Sequence, residues 1–144
     1  RSKNITILNI DLDEAKRVSE NFSEERNKIN VEYLNDENLR KYLQECNLIV
    51  NTTPVGIYPD VNKAIISKGI FDGFQNLDEK YFFDAIFNPY KTKFLINAEM
   101  KGAKICSGTY MMIYQVICAL KLWLGTEFKG LDIEEINKDL IRNF

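Results

Sequence analysis

Hydrophobic and polar positions along the chain fall into short apolar runs separated by longer amphipathic stretches. Ile5-Thr6-Ile7-Leu8-Asn9-Ile10 is rich in β-branched residues and predicts a buried strand. Asp11-Leu12-Asp13 turns from it into a helix, with Ala15, Val18 and Phe22 at helical spacing and Asp13 as its N-cap. Asn30 to Leu34 alternates as a second strand. Asp36 opens a polar helix through Glu45, with Leu39, Tyr42 and Leu43 on one face, and Leu48 to Asn51 is a third strand. Tyr58 to Leu77, punctuated by Pro59, Gly69 and Gly73, reads as a loop with room for one helical turn. Tyr81 to Phe87 is a strongly apolar strand carrying one acid, Asp84, and Asn88-Pro89 ends it. A helix from Thr92 to Lys101 turns Leu95, Ala98 and Phe94 inward and stops at Gly102. Ala103 to Cys106 is a short strand. Gly108-Thr109 leads into the apolar helix Tyr110 to Leu124, closed by Gly125, and Asp132 caps a last helix striped by Ile133, Ile136, Leu140, Ile141 and Phe144.

Strands alternating with helices, with runs apolar enough for burial on both faces, predict an α/β fold: a Rossmann-like, three-layer α/β/α arrangement with a mostly parallel sheet. Residues 1–144 are expected to form a single domain. One signature is missing. In dinucleotide-binding folds a GxGxxG loop precedes, by about 20 residues, an acid at the tip of the second strand. No such loop occurs in the chain. Its first strand therefore behaves like the second strand of such a fold, with the first strand and glycine-rich loop expected upstream of Arg1.

Composition narrows the classes of function. A net charge of −2 gives no electrostatic footprint for nucleic acid. The longest apolar stretch, Met111 to Leu124, is broken by Gln115 and Lys121 and is too short to span a bilayer. No signal peptide is visible at Arg1-Ser2-Lys3, so a cytoplasmic protein is expected. Cys46, Cys106 and Cys118 form no CxxC pair and sit in apolar segments, as buried structural thiols do. Histidine is absent, which removes Ser-His-Asp and Cys-His nucleophile systems and every His-containing zinc site. No metal site and no catalytic residue is assigned to this chain.

The segment Asn51-Thr52-Thr53-Pro54-Val55-Gly56 leaves the end of the third strand. In an open α/β sheet that edge is where ligands bind. Its hydroxyls, amide and glycine suit a polar ligand, and serve equally as a strand-to-helix turn. Asp11, just after the first strand, suits a ribose-hydroxyl acceptor or a plain turn acid. Asp84 inside an apolar strand must hydrogen-bond, because burying an unpaired charge costs several kcal/mol. Gln115 on an apolar helix must find partners, within the core or on a ligand. Met111 and Met112 fit the core.

These segments together resemble the C-terminal, nicotinamide-cofactor-binding domain of the shikimate dehydrogenase family, which includes quinate/shikimate enzymes. The family shows Asn-Arg-Thr after a strand, then Asn-x-Thr-Pro-x-Gly-Met, Asp-x-x-Tyr-x-Pro followed by a Thr, and Gly-x-x-Met-Leu-x-x-Gln. The matching residues are Asn9-Ile10-Asp11, Asn51 to Ile57, Asp84 to Pro89 with Thr92, and Gly108 to Gln115. The resemblance implies reversible hydride transfer between 3-dehydroshikimate and shikimate, on the route to aromatic amino acids. It places Asn9, Asp11, Asn51, Thr52, Thr53, Pro54, Ile86, Gly108 and Met111 at the NAD or NADP cofactor, and Phe87 and Gln115 at the substrate.

Three departures qualify what the resemblance implies. Ile10 replaces the family Arg that grips the NADP 2′-phosphate, and Asp11 follows it, so NAD is favoured. Phe87 replaces the family Tyr, which opens the way to quinate or another polyol. The family's catalytic Lys and Asp lie in a separate substrate domain, so the chain by itself is expected to be inactive. A rival reading is a non-catalytic Rossmann-like module that binds a nucleotide or a protein. Another is a relative of methylene-tetrahydrofolate or glutamyl-tRNA reductases, against which the Gly108–Gln115 helix argues. A missing first strand leaves two inner strand edges unpaired, at about 1–3 kcal/mol per unmade buried hydrogen bond. Direct pairing, a strand from another copy in a homo-oligomer, or an upstream segment would close that gap.

Overall fold

The computed structural model describes residues 4–22 and 28–142. Arg1-Ser2-Lys3 and Phe144, which the sequence reading used, lie outside the described residues. The chain forms two compact units, one ending at Glu45 and the other beginning at Cys46.

In the first unit, β1 (Ile5–Asn9) and β2 (Ile29–Tyr33) pair in parallel, with Ile5 opposite Ile29 and Asn9 opposite Tyr33. The helix α1 (Leu12–Glu20) packs on both strands. Its N-cap is Asp11, not Asp13: Asp11 Oδ1 accepts from the backbone N–H groups of Asp13 and Glu14, both at 3.0 Å. The earlier residue wins because Asp13 and Glu14 then occupy the first turn, where acids complement the helix dipole. Phe22 falls beyond the helix and is exposed, as is Val18, so only Ala15 of the expected stripe is buried. The helix α2 (Asp36–Glu45) has the expected bounds and buries Leu39 and Leu43.

In the second unit, β3 (Leu48–Asn51), β4 (Tyr81–Asp84) and β5 (Lys104–Cys106) form a parallel sheet in the order β3-β4-β5. The expected parallel pairing is present, but the strands make two sheets rather than one. Between β3 and β4 the chain contributes a one-turn helix, α3 (Lys68–Phe71), and the buried side chains Ile66, Ile70, Phe71 and Leu77. The helix α4 (Lys93–Glu99) buries Phe94, Leu95 and Ala98 against β4 and β5. Phe71, Phe82 and Phe94 form the aromatic centre of this core, with ring centroids 5.8 and 5.5 Å apart. The long helix α5 (Gly108–Leu124) is capped by Ser107 and ends at Gly125, and α6 (Ile133–Arg142) packs on it.

Strand side chains alternate between faces, and here the two faces differ. Ile49, Asn51, Phe82 and Asp84 point to the covered face, whereas Leu48 and Tyr81 on the other are 59% and 51% exposed. Burial on both faces, expected from the apolar runs, is therefore not observed. The open face forms a groove of about 510 Å³ along Leu48, Val50, Tyr81, Phe83 and Cys106. Two further expectations of burial also change. Cys106 and Cys118 are exposed and Cys46 is half-buried, not core thiols. Met111 and Gln115 are exposed on α5, and Met112 is half-buried.

Candidate functional site

Three polar loops leave the C-terminal ends of β3, β4 and β5 in the second unit, and a single buried carboxylate ties two of them together. Asp84 is fully buried at the end of β4, beside Asn51 at the end of β3. Asp84 Oδ1 accepts from Asn51 Nδ2 at 3.1 Å and from the Ile86 backbone N–H at 3.0 Å. Its Oδ2 accepts from Thr92 Oγ1 at 2.6 Å. Both carboxylate oxygens are thus engaged inside the protein. The bond to Ile86 N–H also explains why β4 stops at Asp84, three residues before the sequence pattern ends: the carboxylate takes the amide that would continue the ladder.

Asn51 carries this order outward. With its Nδ2 committed to Asp84, its Oδ1 accepts from Thr53 N–H at 3.0 Å and from Thr53 Oγ1 at 2.8 Å. Thr53 Oγ1 in turn accepts from Val55 N–H at 3.3 Å. The loop is thereby folded over its own strand end. Thr52 and Pro54 are left exposed and Thr53 half-buried. Gly56 completes the turn at φ 106°, a conformation open to glycine. Asn51 itself is buried and fully engaged inside the protein.

The third loop starts α5. Ser107 Oγ accepts from Thr109 N–H at 3.3 Å, and Gly108 N–H donates to Ile86 O at 3.2 Å. Gly108 must lack a side chain, because a Cβ there would collide with the Ala85 carbonyl and lie 2.8 Å from Ile86 O. Ile86 is buried beneath this contact, and Phe87 beside it is 39% exposed. Met111 and Gln115, one turn apart, are exposed on α5.

Thr92 was expected only as a helix start. Its hydroxyl both accepts from Leu95 N–H, at 3.4 Å, and donates to Asp84. The sequence signal was present, a Thr at an N-cap position, but the distance of eight residues to its partner hid the second role.

The first unit holds a separate set. Asn9 Oδ1 accepts from Asp11 N–H at 3.0 Å, and Asn9 Nδ2 donates to Glu14 Oε2 at 3.1 Å. Asp11 Oδ1 is committed to the helix cap, and Ile10 is exposed beside it.

The first amides of α5 are already bonded to Ile86 O and Ser107 Oγ, and hydroxyls and apolar side chains line the loops. Among the described residues, no group of three His, Cys, Asp or Glu side chains is placed to hold a metal ion. No helix among them is long and apolar enough to cross a membrane. The open groove along the sheet face includes none of the loop residues from Asn51 to Gly56.

Comparison with known proteins returns one family repeatedly. The shikimate dehydrogenase (NADP+) of Caldicellulosiruptor bescii is 32% identical over 144 residues, covering 99% of this chain and 47% of that protein. A crystal structure of shikimate dehydrogenase in complex with NADP+ superposes with a TM-score of 0.75 at 28% identity, covering 97% of this chain and 46% of that one. A Listeria monocytogenes shikimate 5-dehydrogenase, solved with shikimate and NAD, has a TM-score of 0.75 at 25% identity, covering 96% and 47%. The chain thus spans about half the length of these relatives. No family profile matches it.

Proposed function

Because the chain belongs to the shikimate dehydrogenase family, we propose that residues 1–144 are the cofactor-binding domain of such an enzyme. The observation that carries this reading is the convergence of the Asn51–Gly56 loop, the Ile86–Phe87 turn and the start of α5 at the C-terminal ends of three parallel strands. Bound there, NAD or NADP would supply the hydride donor or acceptor. The chain's own residues bind and orient it. Thr52, Thr53 and Pro54 present the loop surface, Gly108 lets α5 approach closely, and Met111 offers an apolar contact. Phe87 and Gln115 face a hydroxylated cyclic acid, shikimate or 3-dehydroshikimate, in the whole enzyme. The groups that move protons are assigned to the part of the relatives that this chain does not match. Phe87 in place of a tyrosine favours quinate or a related polyol as the second substrate to try.

Cofactor choice rests on the first unit. Asp11 Oδ1 caps α1, and its Oδ2 is proposed to accept from the ribose hydroxyls. Asp13 and Glu14 lie close behind, and like charge repels a 2′-phosphate. NAD is therefore preferred, although the curated relatives are named for NADP+. Calorimetric titration of the whole enzyme tests both statements. Saturable binding with a lower Kd for NAD than for NADP is expected, and Ile10→Arg should tighten NADP about tenfold, the worth of one charge-assisted hydrogen bond. No saturable binding of either nucleotide overturns the assignment, and tighter binding of NADP overturns the preference. With shikimate and either nucleotide, the chain alone should show no turnover. Three cysteines without disulfides fit a reducing compartment, and we place the enzyme in the cytoplasm. Nothing in its charge calls for nucleic acid or a membrane as partner.

A further inference from the structure

The geometry points to Asp84 as the positioning residue of the cofactor loop, acting through Asn51 on Thr53 and Val55; this inference rests on the cofactor-binding reading above. The carboxylate is fully buried, yet a continuous path of hydrogen bonds runs outward from it. Asp84 Oδ1 holds Asn51 Nδ2 at 3.1 Å, Asn51 Oδ1 holds Thr53 N–H and Oγ1 at 3.0 and 2.8 Å, and Thr53 Oγ1 holds Val55 N–H at 3.3 Å. An amide side chain has two orientations of similar shape. The carboxylate selects one, because it can only accept, and so turns the Asn51 oxygen toward the loop. Without that selection the Asn51 NH₂ group could face Thr53 N–H, donor against donor, and the turn would open.

The same carboxylate sets the other wall. Through Ile86 N–H at 3.0 Å it fixes the turn whose carbonyl receives Gly108 N–H at 3.2 Å. One buried charge therefore coordinates the Asn51 loop, the Ile86 turn and the start of α5. No Lys or Arg ion pair to Asp84 is found among the described residues. The hydrogen bonds found for the carboxylate all come from neutral groups of these loops and of the α4 cap.

The test combines two readouts in the whole enzyme on Asp84→Leu, which keeps the branched shape and removes both acceptors, on Asn51→Ala and on the double variant. Amide hydrogen exchange without cofactor should rise about tenfold or more at Thr53 and Val55 in Asp84→Leu. The Kd for the preferred nicotinamide nucleotide should rise about tenfold, with ADP-ribose, which lacks the nicotinamide, changed less than about twofold. The double variant should bind no worse than Asn51→Ala alone, because both cuts sever one path. Unchanged exchange at Thr53 and Val55, additive losses, or an equal loss for ADP-ribose overturns the inference. If Asp84→Leu does not fold, Thr92→Val cuts the carboxylate from its other side. Faster exchange reaching Thr53, and restored by Thr92→Ser, supports the coupling; a rise confined to Leu95 overturns it. A wild-type whole enzyme that binds neither nucleotide overturns the proposed function, while the exchange readout still decides whether Asp84 orders the loop.

Discussion

Gly108 shows how far a single position can constrain the site. Its N–H bonds Ile86 O, and the space where a Cβ would stand is filled by the Ala85 and Ile86 carbonyls. These obstacles are backbone atoms, held by the bond from Ile86 N–H to Asp84, so they cannot swing aside as a side chain would. Gly108→Ala must displace either the start of α5 or the β4 turn. A destabilisation of about 3 kcal/mol is expected, at the upper end of overpacking effects, and urea unfolding measures it. A loss below about 1 kcal/mol would show that the two backbones can part easily. The sequence marked both Gly108 and Asp84 as site residues or oddities. It gave no distance between them, because their meeting depends on two neighbouring strands ending at the same level of the sheet.

Elements with self-contained signals were legible in the sequence. The helix α2 and the strand β3 have the expected bounds, since a capped amphipathic stretch and an apolar run flanked by polar residues need no distant partner to be recognised. Elements whose burial depends on what lies across from them were not. The composition of α5 reads as a core helix, yet Trp123 is 78% exposed and Tyr114, Val116 and Leu122 also face outward. The partner that α5 does have is α6. Across that contact Tyr110 donates its hydroxyl to Glu134 Oε2 at 2.9 Å, and this bond, with some burial, raises the tyrosine pKa above its ordinary value of 10.0. A raised pKa means the neutral phenol is favoured in the folded state. Its contribution is present below pH 10 and is lost as pH climbs through the folded value. Tyr110→Phe should cost about 0.5 kcal/mol at neutral pH, a small figure because the pair is largely exposed. The gap to the wild type should close in strongly alkaline buffer. A gap that persists unchanged there would assign the loss to packing and not to the hydroxyl.

At the scale of the whole molecule, the second unit leaves apolar surface uncovered. In the second unit β3 is the edge strand of its sheet, and Leu48, Val50 and Tyr81 line the open face beside that edge. Exposed, flat, hydrophobic edge strands are templates for pairing with another chain, and each square ångström of apolar surface removed from water contributes about 25 cal/mol. For the 144-residue chain in isolation, a second copy is the available cover, so concentration-dependent self-association is expected. Sedimentation velocity over a range of concentrations measures it. Leu48→Lys with Val50→Lys places two charges on the open face without touching Ile49 or Asn51, whose side chains point the other way. The double variant should sediment as a monomer at concentrations where the wild type associates, with its circular dichroism unchanged. The same variant should keep its cofactor affinity, because the groove contains none of the loop residues assigned to the cofactor. Association that survives both lysines would move the contact away from this face, to the outward side of α5, where Leu122 and Trp123 offer the other large apolar surface.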